Sequence, residues 1–242
     1  MVKVADILIC RPEKDAKVLR DILIEHNITS VILPTVSIDY LDFSFDKRVF
    51  TDIIFTSKYA VQGFFDVYDE VVLNNIKIWA IGESTAKVLL GKNLLVNYPE
   101  KYNSEALYDL LSINGFDGKK IALVSGEGGN DFLEKTLSKN VECKKIKTYK
   151  RDFQNPEQLL EKYNHYFHNK SPKIIVTTSL DVFNALNTIF PINSKPINSI
   201  VTITSTKMLE CVTAEGFKKT LFLEKVDNQS ICDVIKKFFE RN

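Results

Sequence analysis

Short apolar runs alternate with stretches whose apolar positions recur every three or four residues, from one end of the chain to the other. The runs predict strands at 4–10, 31–34, 52–56, 76–81, 119–125, 142–149, 173–177 and 198–203. Several are apolar at every position, as parallel strands buried on both faces are. Helices fit between them. The last is the clearest, with Ile231, Val234, Ile235, Phe238 and Phe239 at i, i+3, i+4, i+7 and i+8 spacing. Alternation of strand and helix predicts an α/β fold of parallel sheets flanked by helices.

The pattern also repeats. Ile7-Leu-Ile-Cys-Arg11 resembles Ile121-Ala-Leu-Val-Ser125, and Asp52-Ile-Ile-Phe-Thr-Ser57 resembles Lys173-Ile-Ile-Val-Thr-Thr178. Ile81-Gly-Glu-Ser-Thr85 resembles Thr204-Ser-Thr-Lys-Met208, and Asn103-Ser104 before one helix resembles Gln229-Ser230 before another. Four matches in the same order favour duplication of one α/β unit over the general likeness of strand-to-helix turns. Residues 35–47, after Pro34 and carrying Asp39, Asp42 and Asp46, read as a crossing or loop, and so do residues 151–156.

A chain of 242 residues accommodates two such units, and a hydrophobic fraction of 45% is ample for their cores. A formal net charge of +1 excludes a general nucleic-acid binder, which carries a clear basic excess. Cys10, Cys143, Cys211 and Cys232 make no C-x-x-C pair and read as reduced thiols. The first residues open into a strand without a signal-peptide pattern, and no apolar run approaches the length of a membrane span. The expectation is a cytoplasmic protein that meets neither nucleic acid nor membrane.

Four turns carry anion-friendly chemistry. Thr56-Ser57-Lys58 and Thr177-Thr178-Ser179 each end a strand and start a helix. Gly82-Glu-Ser84-Thr85 and Ser125-Gly126-Glu-Gly-Gly-Asn130 are similar, and the last lacks the G-x-x-x-x-G-K-[ST] pattern of a nucleotide-binding loop. Ligands of parallel sheets lie at the carboxyl ends of strands, where helix N–H groups favour negative charge. Each hydroxyl taken singly is a helix cap; taken together, the turns suggest a polyanionic ligand. Arg11, Lys58, Arg151 and Lys207 lie near strand ends and can supply charge, although a solvated surface residue is the plainer reading of each. His165-x-x-His168 has half the spacing of a metal site and no third ligand nearby, so no metal is expected. No Ser-His-Asp or Cys-His arrangement stands out. Tyr149 closes a strand just before the second crossing, where a rim or core tyrosine is the plain reading.

These residues, in this order, resemble the uroporphyrinogen-III synthase family over nearly the whole chain. Ile54-Phe-Thr-Ser-Lys-Tyr-Ala-Val61 is similar to the family's strand–Thr-Ser–helix segment, and Ala80-Ile-Gly-Glu-Ser-Thr-Ala86 to its I-G-x-x-T-A turn. Pro99-x-x-x-x-Ser104-Glu-Ala-Leu107 matches the segment leading into the next helix. Ile146-Lys-Thr-Tyr149 matches the strand with a functionally important Tyr, and Ser205-x-x-x-Leu209 with Glu215-Gly216-Phe217 resembles bacterial members.

The resemblance implies two α/β/α domains, 1–35 plus 150–242 and the inserted 36–149, joined by a two-stranded connector with a ligand cleft between them. It implies hydroxymethylbilane, a linear tetrapyrrole with eight carboxylates, as substrate. Loss of its hydroxyl as water gives an azafulvene cation, and a spiro intermediate then inverts ring D to yield uroporphyrinogen III. No metal or organic cofactor is implied. Tyr149 is the implied catalytic residue. Arg11, Thr56, Ser57, Lys58, Gly82, Ser84, Thr85, Ser104, Ser125, Gly126, Thr178, Ser179 and Ser205 are the expected substrate contacts. A monomer, in transient contact with hydroxymethylbilane synthase, completes the expectation. One departure stands out: the family often has Gly and Thr where this chain has Ser205 and Met208, leaving Thr204 or Thr206 to supply the hydroxyl. The competing reading is a non-catalytic two-domain binding protein for a small anionic metabolite, with the same turns and no chemistry.

Overall fold

The computed structural model describes residues 5–113, 115–168, 170–191 and 194–240. In chain order its elements are β1 (Ile7–Ile9), α1 (Glu13–Glu25), β2 (Ser30–Ile32), β3 (Val36–Tyr40), β4 (Asp52–Phe55), α2 (Lys58–Phe65), a 3-10 turn at Glu70–Leu73, β5 (Lys77–Ala80), α3 (Glu83–Leu90), β6 (Val96–Asn97) and α4 (Ser104–Ser112). There follow β7 (Lys120–Gly126), α5 (Phe132–Leu137), β8 (Glu142–Phe153), α6 (Pro156–Phe167), β9 (Ile174–Val176), α7 (Leu180–Asn187), β10 (Ile200–Ile203), α8 (Thr206–Ala214), β11 (Lys219–Phe222) and α9 (Asn228–Glu240). The first residue of the strand expected at 4–10 lies outside the described residues.

The chain divides into two compact units, Met1–Ser37 with Asp152–Asn242, and Ile38–Arg151. Both divisions fall two residues later than those the resemblance implies, and both chain passages lie inside strands. Residues 36–40 and 151–153, read from sequence as loop, are β3 and the end of β8. The Leu41 N–H donates to the Thr148 carbonyl and the Gln154 N–H to the Thr35 carbonyl, so these neighbours run antiparallel. No continuous apolar run marks β3; the backbone of its partner supplies the pairing that its side chains do not announce.

The discontinuous unit holds a five-stranded parallel sheet in the order β2-β1-β9-β10-β11. Alternate side chains enter two separate cores. Leu8, Ile175, Val201 and Ile203 pack with Phe167, Val182, Phe183 and Val212 from α6, α7 and α8. Ile7, Ile9, Ile174 and Val176 pack with Leu19, Leu23, Ile231 and Ile235 from α1 and α9. Burial on both faces explains the unbroken apolar runs, each such side chain contributing about 1.5–3 kcal/mol.

The inserted unit has the order β3-β8-β7-β4-β5-β6, parallel from β8 to β6. Ile53, Phe55, Ile78 and Val124 face α2 and α3. Ile54, Trp79, Ile121 and Leu123 face α4 and α5. Trp79 also donates from Nε1 to the buried Asp52 carboxylate at 2.8 Å, which settles two groups that would otherwise be costly to bury. The repeats noted in the sequence have a structural counterpart. β1 and β7, β9 and β4, and β10 and β5 occupy matching places in their own sheets. In each sheet the strand order reverses between the first pair, β1/β9 and β7/β4, and such a switch point leaves a crevice at the carboxyl ends.

Candidate functional site

At the switch point of the inserted unit, β4 ends in Thr56-Ser57 and β7 in Ser125-Gly126. Thr56 spends its hydroxyl on the Val124 carbonyl at 3.2 Å, which ties the end of β4 to β7. Ser57 is extended, with φ −164°, and its Oγ accepts the Ala60 N–H at 3.0 Å, capping α2.

Tyr149 reaches this spot through a break in register. Ser125 pairs with Lys147 but Gly126 pairs with Tyr149, so β8 carries one extra residue there. Such a bulge re-aims side chains: Thr148 and Tyr149 are both buried, where regular alternation would expose one of them. The phenol ring lies against Gly126. A Cβ on that glycine would stand 2.5 Å from Tyr149 Cζ and 2.9 Å from its oxygen. The Tyr149 hydroxyl meets Ser57 Oγ at 3.0 Å. Arg151 donates from Nη2 to the phenol oxygen at 3.2 Å, and its guanidinium lies 5.4 Å from the ring centre. The Tyr59 ring is 5.7 Å from that of Tyr149, and Lys58 Nζ lies 5.1 Å from the Tyr59 ring centre. Tyr149 is 2% exposed, while Ser57 and Arg151 are half-buried.

The next strand, β5, leads into Gly82, whose missing side chain makes room for Tyr102: a Cβ would stand 2.6 Å from Tyr102 Cβ. Tyr102 donates to Glu83 at 3.0 Å. Ser84 is exposed and Thr85 buried. Ser104, expected before a helix as its polar start, is buried at the first position of α4 and takes the Asn130 amide at 3.3 Å; the cap is Asn103, which accepts the Ala106 N–H at 2.8 Å. Ser125 is also buried, its hydroxyl donating to the Gly126 carbonyl at 3.2 Å.

The discontinuous unit repeats the cap design. Ser179 caps α7 through the Val182 N–H at 3.3 Å, and Ser205 caps α8 through the Met208 N–H at 3.2 Å. Thr178 is half-buried beside Ser179. Thr177 and Thr202 exchange hydrogen bonds of 2.6–2.9 Å in full burial, tying the ends of β9 and β10. Met208 is packed in the core, and the Thr204 hydroxyl points to its sulfur at 3.7 Å. Thr206 is exposed at the start of α8.

Arg11 departs from both sequence readings. It is 3% exposed, hydrogen-bonded to Asn228 Oδ1 and, at 2.8 Å, to the Val226 carbonyl, with Asp15 at 3.9 Å. Its charge holds the segment before α9 in place, so it is neither a solvated residue nor an accessible anion contact. Among the expected contacts, the structure gathers Thr56, Ser57, Ser125, Gly126 and Tyr149 at one switch point. Gly82, Ser84 and Thr85 follow the neighbouring strand. Sequence reasoning missed the bulge, Tyr59 and the Arg151–Tyr149 bond; only the nearness of Arg151 to a strand end hinted at the last. His165 and His168 place their ring centres 6.0 Å apart, and among the described residues no group of three His, Cys, Asp or Glu side chains is placed to hold a metal ion.

The family model for uroporphyrinogen-III synthase HemD matches residues 17–229. The chain belongs to the uroporphyrinogen-III synthase family. That family is a lyase class of tetrapyrrole biosynthesis. The fold agrees with crystal structures of two similar proteins. One is uroporphyrinogen-III synthetase from Helicobacter pylori, with 18% identity over 97% of this chain and 99% of that one and a TM-score of 0.66. The other is a mutant uroporphyrinogen III synthase from Thermus thermophilus, with 10% identity over 98% and 100% and a TM-score of 0.63. No curated protein matches the chain by sequence. No described helix is long and apolar enough to cross a membrane. For a synthase of this family the gathered switch point offers a phenol, a hydroxyl and a guanidinium in one hydrogen-bonded line.

Proposed function

We propose that this chain closes hydroxymethylbilane to uroporphyrinogen III, with loss of water and inversion of ring D. The observation that carries this reading is the Tyr149–Ser57 hydroxyl pair with Arg151, set at a sheet switch point in a chain of this family. The two units serve as the enzyme's domains. The substrate's pyrrole nitrogens stabilise the cation left when water departs, so the protein needs one proton donor at the leaving oxygen and firm control of ring position. Tyr149 is the source of that proton. Strand-end turns hold the carboxylates, each charge-assisted hydrogen bond contributing about 1.5–3 kcal/mol. In the inserted unit these are Thr56, Ser57, Lys58, Gly82, Ser84, Thr85, Ser104, Ser125 and Gly126; in the other they are Thr178, Ser179 and Ser205. Buried hydroxyls among them act by shaping the turn and presenting its N–H groups. No metal or organic cofactor takes part in this scheme. The enzyme works as a cytoplasmic monomer that receives its unstable substrate in passing contact with hydroxymethylbilane synthase.

The test is isomer analysis. Hydroxymethylbilane closes by itself to the symmetric type I product. The purified protein is expected to divert it to type III, separated by chromatography after oxidation to porphyrin. A protein that only binds the substrate would slow closure without changing the isomer. Tyr149→Phe is expected to lower the rate without abolishing it, and a wild-type rate would remove Tyr149 from the mechanism.

A further inference from the structure

We propose that Ser57 hands the proton to the departing hydroxyl, with Tyr149 and Arg151 behind it as a relay; this rests on the synthase reading above. Donors and acceptors around the phenol oxygen fix which way each proton points. A guanidinium has only donors, so at 3.2 Å from Arg151 Nη2 the phenol oxygen is an acceptor. The Ala60 N–H belongs to the first turn of α2 and has no partner within that helix, so it occupies one acceptor position of Ser57 Oγ. One proton lies between Ser57 Oγ and the phenol oxygen, 3.0 Å apart.

If Ser57 donated it, the phenol would accept twice and its own proton would need a third partner. Tyr149 is 2% exposed, with its ring against Gly126, Tyr59 and the Arg151 guanidinium. A buried donor without a partner is costly. If Tyr149 donates, the phenol is satisfied with one bond given and one taken. Both acceptor positions of Ser57 are then filled, and its own O–H points away from Tyr149 and Ala60. Ser57 is the more exposed of the two, so its proton is the one a ligand meets. The arrangement explains how a buried tyrosine can serve a reaction on a large substrate.

The step balances. As the carbon–oxygen bond of the hydroxymethyl group breaks, the leaving oxygen takes the Ser57 proton and departs as water. Ser57 Oγ takes the phenol proton, and the phenolate charge rests against Arg151. The proton released when the closed macrocycle regains its pyrrole rings returns along the same path. Ser57 is the catalytic residue; Tyr149 and Arg151 supply and position.

Single-turnover rates and isomer ratios test this for wild type, Ser57→Ala, Ser57→Thr, Tyr149→Phe and the Ser57→Ala/Tyr149→Phe double variant. Ser57→Ala is expected to lower the closure rate at saturating substrate about 100-fold. Ser57→Thr, which keeps both cap and hydroxyl, recovers most of that loss and shows that the loss is not a folding defect. The double variant is expected to be no slower than Ser57→Ala. In mixed H2O/D2O the wild-type rate should follow the curve of two moving protons, and Tyr149→Phe the straight line of one. Additive losses in the double variant, or a straight line for wild type, overturn the relay while leaving the synthase reading intact. No excess of type III product from wild type overturns both.

Discussion

Gly126→Ala adds one methyl group where the Tyr149 ring now lies. The backbone there is not left-handed, so alanine meets no conformational penalty; the conflict is with the ring alone. The new Cβ would stand 2.5, 2.8 and 2.9 Å from Tyr149 Cζ, Cε2 and the phenol oxygen. Carbon atoms pack at about 3.5–4.0 Å, so the ring must retreat by roughly 1 Å. The hydrogen bonds to Ser57 at 3.0 Å and Arg151 at 3.2 Å have no such slack. Gly126→Ala is therefore expected to lower the rate of type III formation at least as far as Tyr149→Phe does. Overpacking of this kind costs about 1–3 kcal/mol, and each kcal/mol lowers the melting temperature of a chain this size by about 2–4 °C. The decisive assay is a double-mutant cycle on stability. In a Tyr149→Ala background the same Gly126→Ala change meets an empty space and is expected to cost less than about 0.5 kcal/mol. Equal destabilisation in both backgrounds, or a Gly126→Ala enzyme with unchanged rate, would show that the added methyl group does not displace the Tyr149 ring.

Other outcomes follow from the same geometry. Asp52→Ala leaves the buried Trp79 N–H without its acceptor and is expected to cost about 1–3 kcal/mol; Trp79 is the single tryptophan, so urea unfolding followed by its fluorescence reads the loss directly. Thr202→Val orphans the buried Thr177 N–H, at a similar cost of about 1–3 kcal/mol in urea unfolding followed by far-UV circular dichroism, because Trp79 reports only on the other unit, whereas Thr206→Val at an exposed position should change little. The Arg48 guanidinium beside Asp46 holds that carboxyl down to about 2. A depressed folded value means the Asp46 contribution is present above the ordinary carboxylate range and fades as pH falls from about 4 towards about 2. Asp46→Asn should flatten the acid limb of the melting-temperature profile in that window, and an unchanged limb would show that the pair is inert in solution. Burial pushes the Cys143 thiol up to about 11, so in the native protein at pH 8 it should react with disulfide reagents far more slowly than in urea.

Much of the architecture was legible because it rests on side-chain direction, a local property. A run such as Ile53-Ile54-Phe55 feeds both faces of a sheet and announces a buried parallel strand. A stripe such as Ile231, Val234, Ile235 feeds one face and announces a helix. β3 and the end of β8 escaped notice because their pairing is made by backbone groups of distant residues. Arg11 was misread for a similar reason: nothing near it in the chain reveals that Val226 and Asn228 will enclose its charge.

The strand–helix alternation, the doubled α/β unit, the serines that precede α2, α7 and α8, and the family are all written in the order of residues. Each of these depends on residues a few positions apart, or on motifs whose order survives any packing. What Tyr149 touches is not written there. Ser57 and Gly126 are far from it in sequence, and a parallel sheet brings them together through strand order and one bulged residue. Strand order is set by long-range hydrogen bonding and helix packing, so the neighbours of a side chain at a strand end have no signature along the chain.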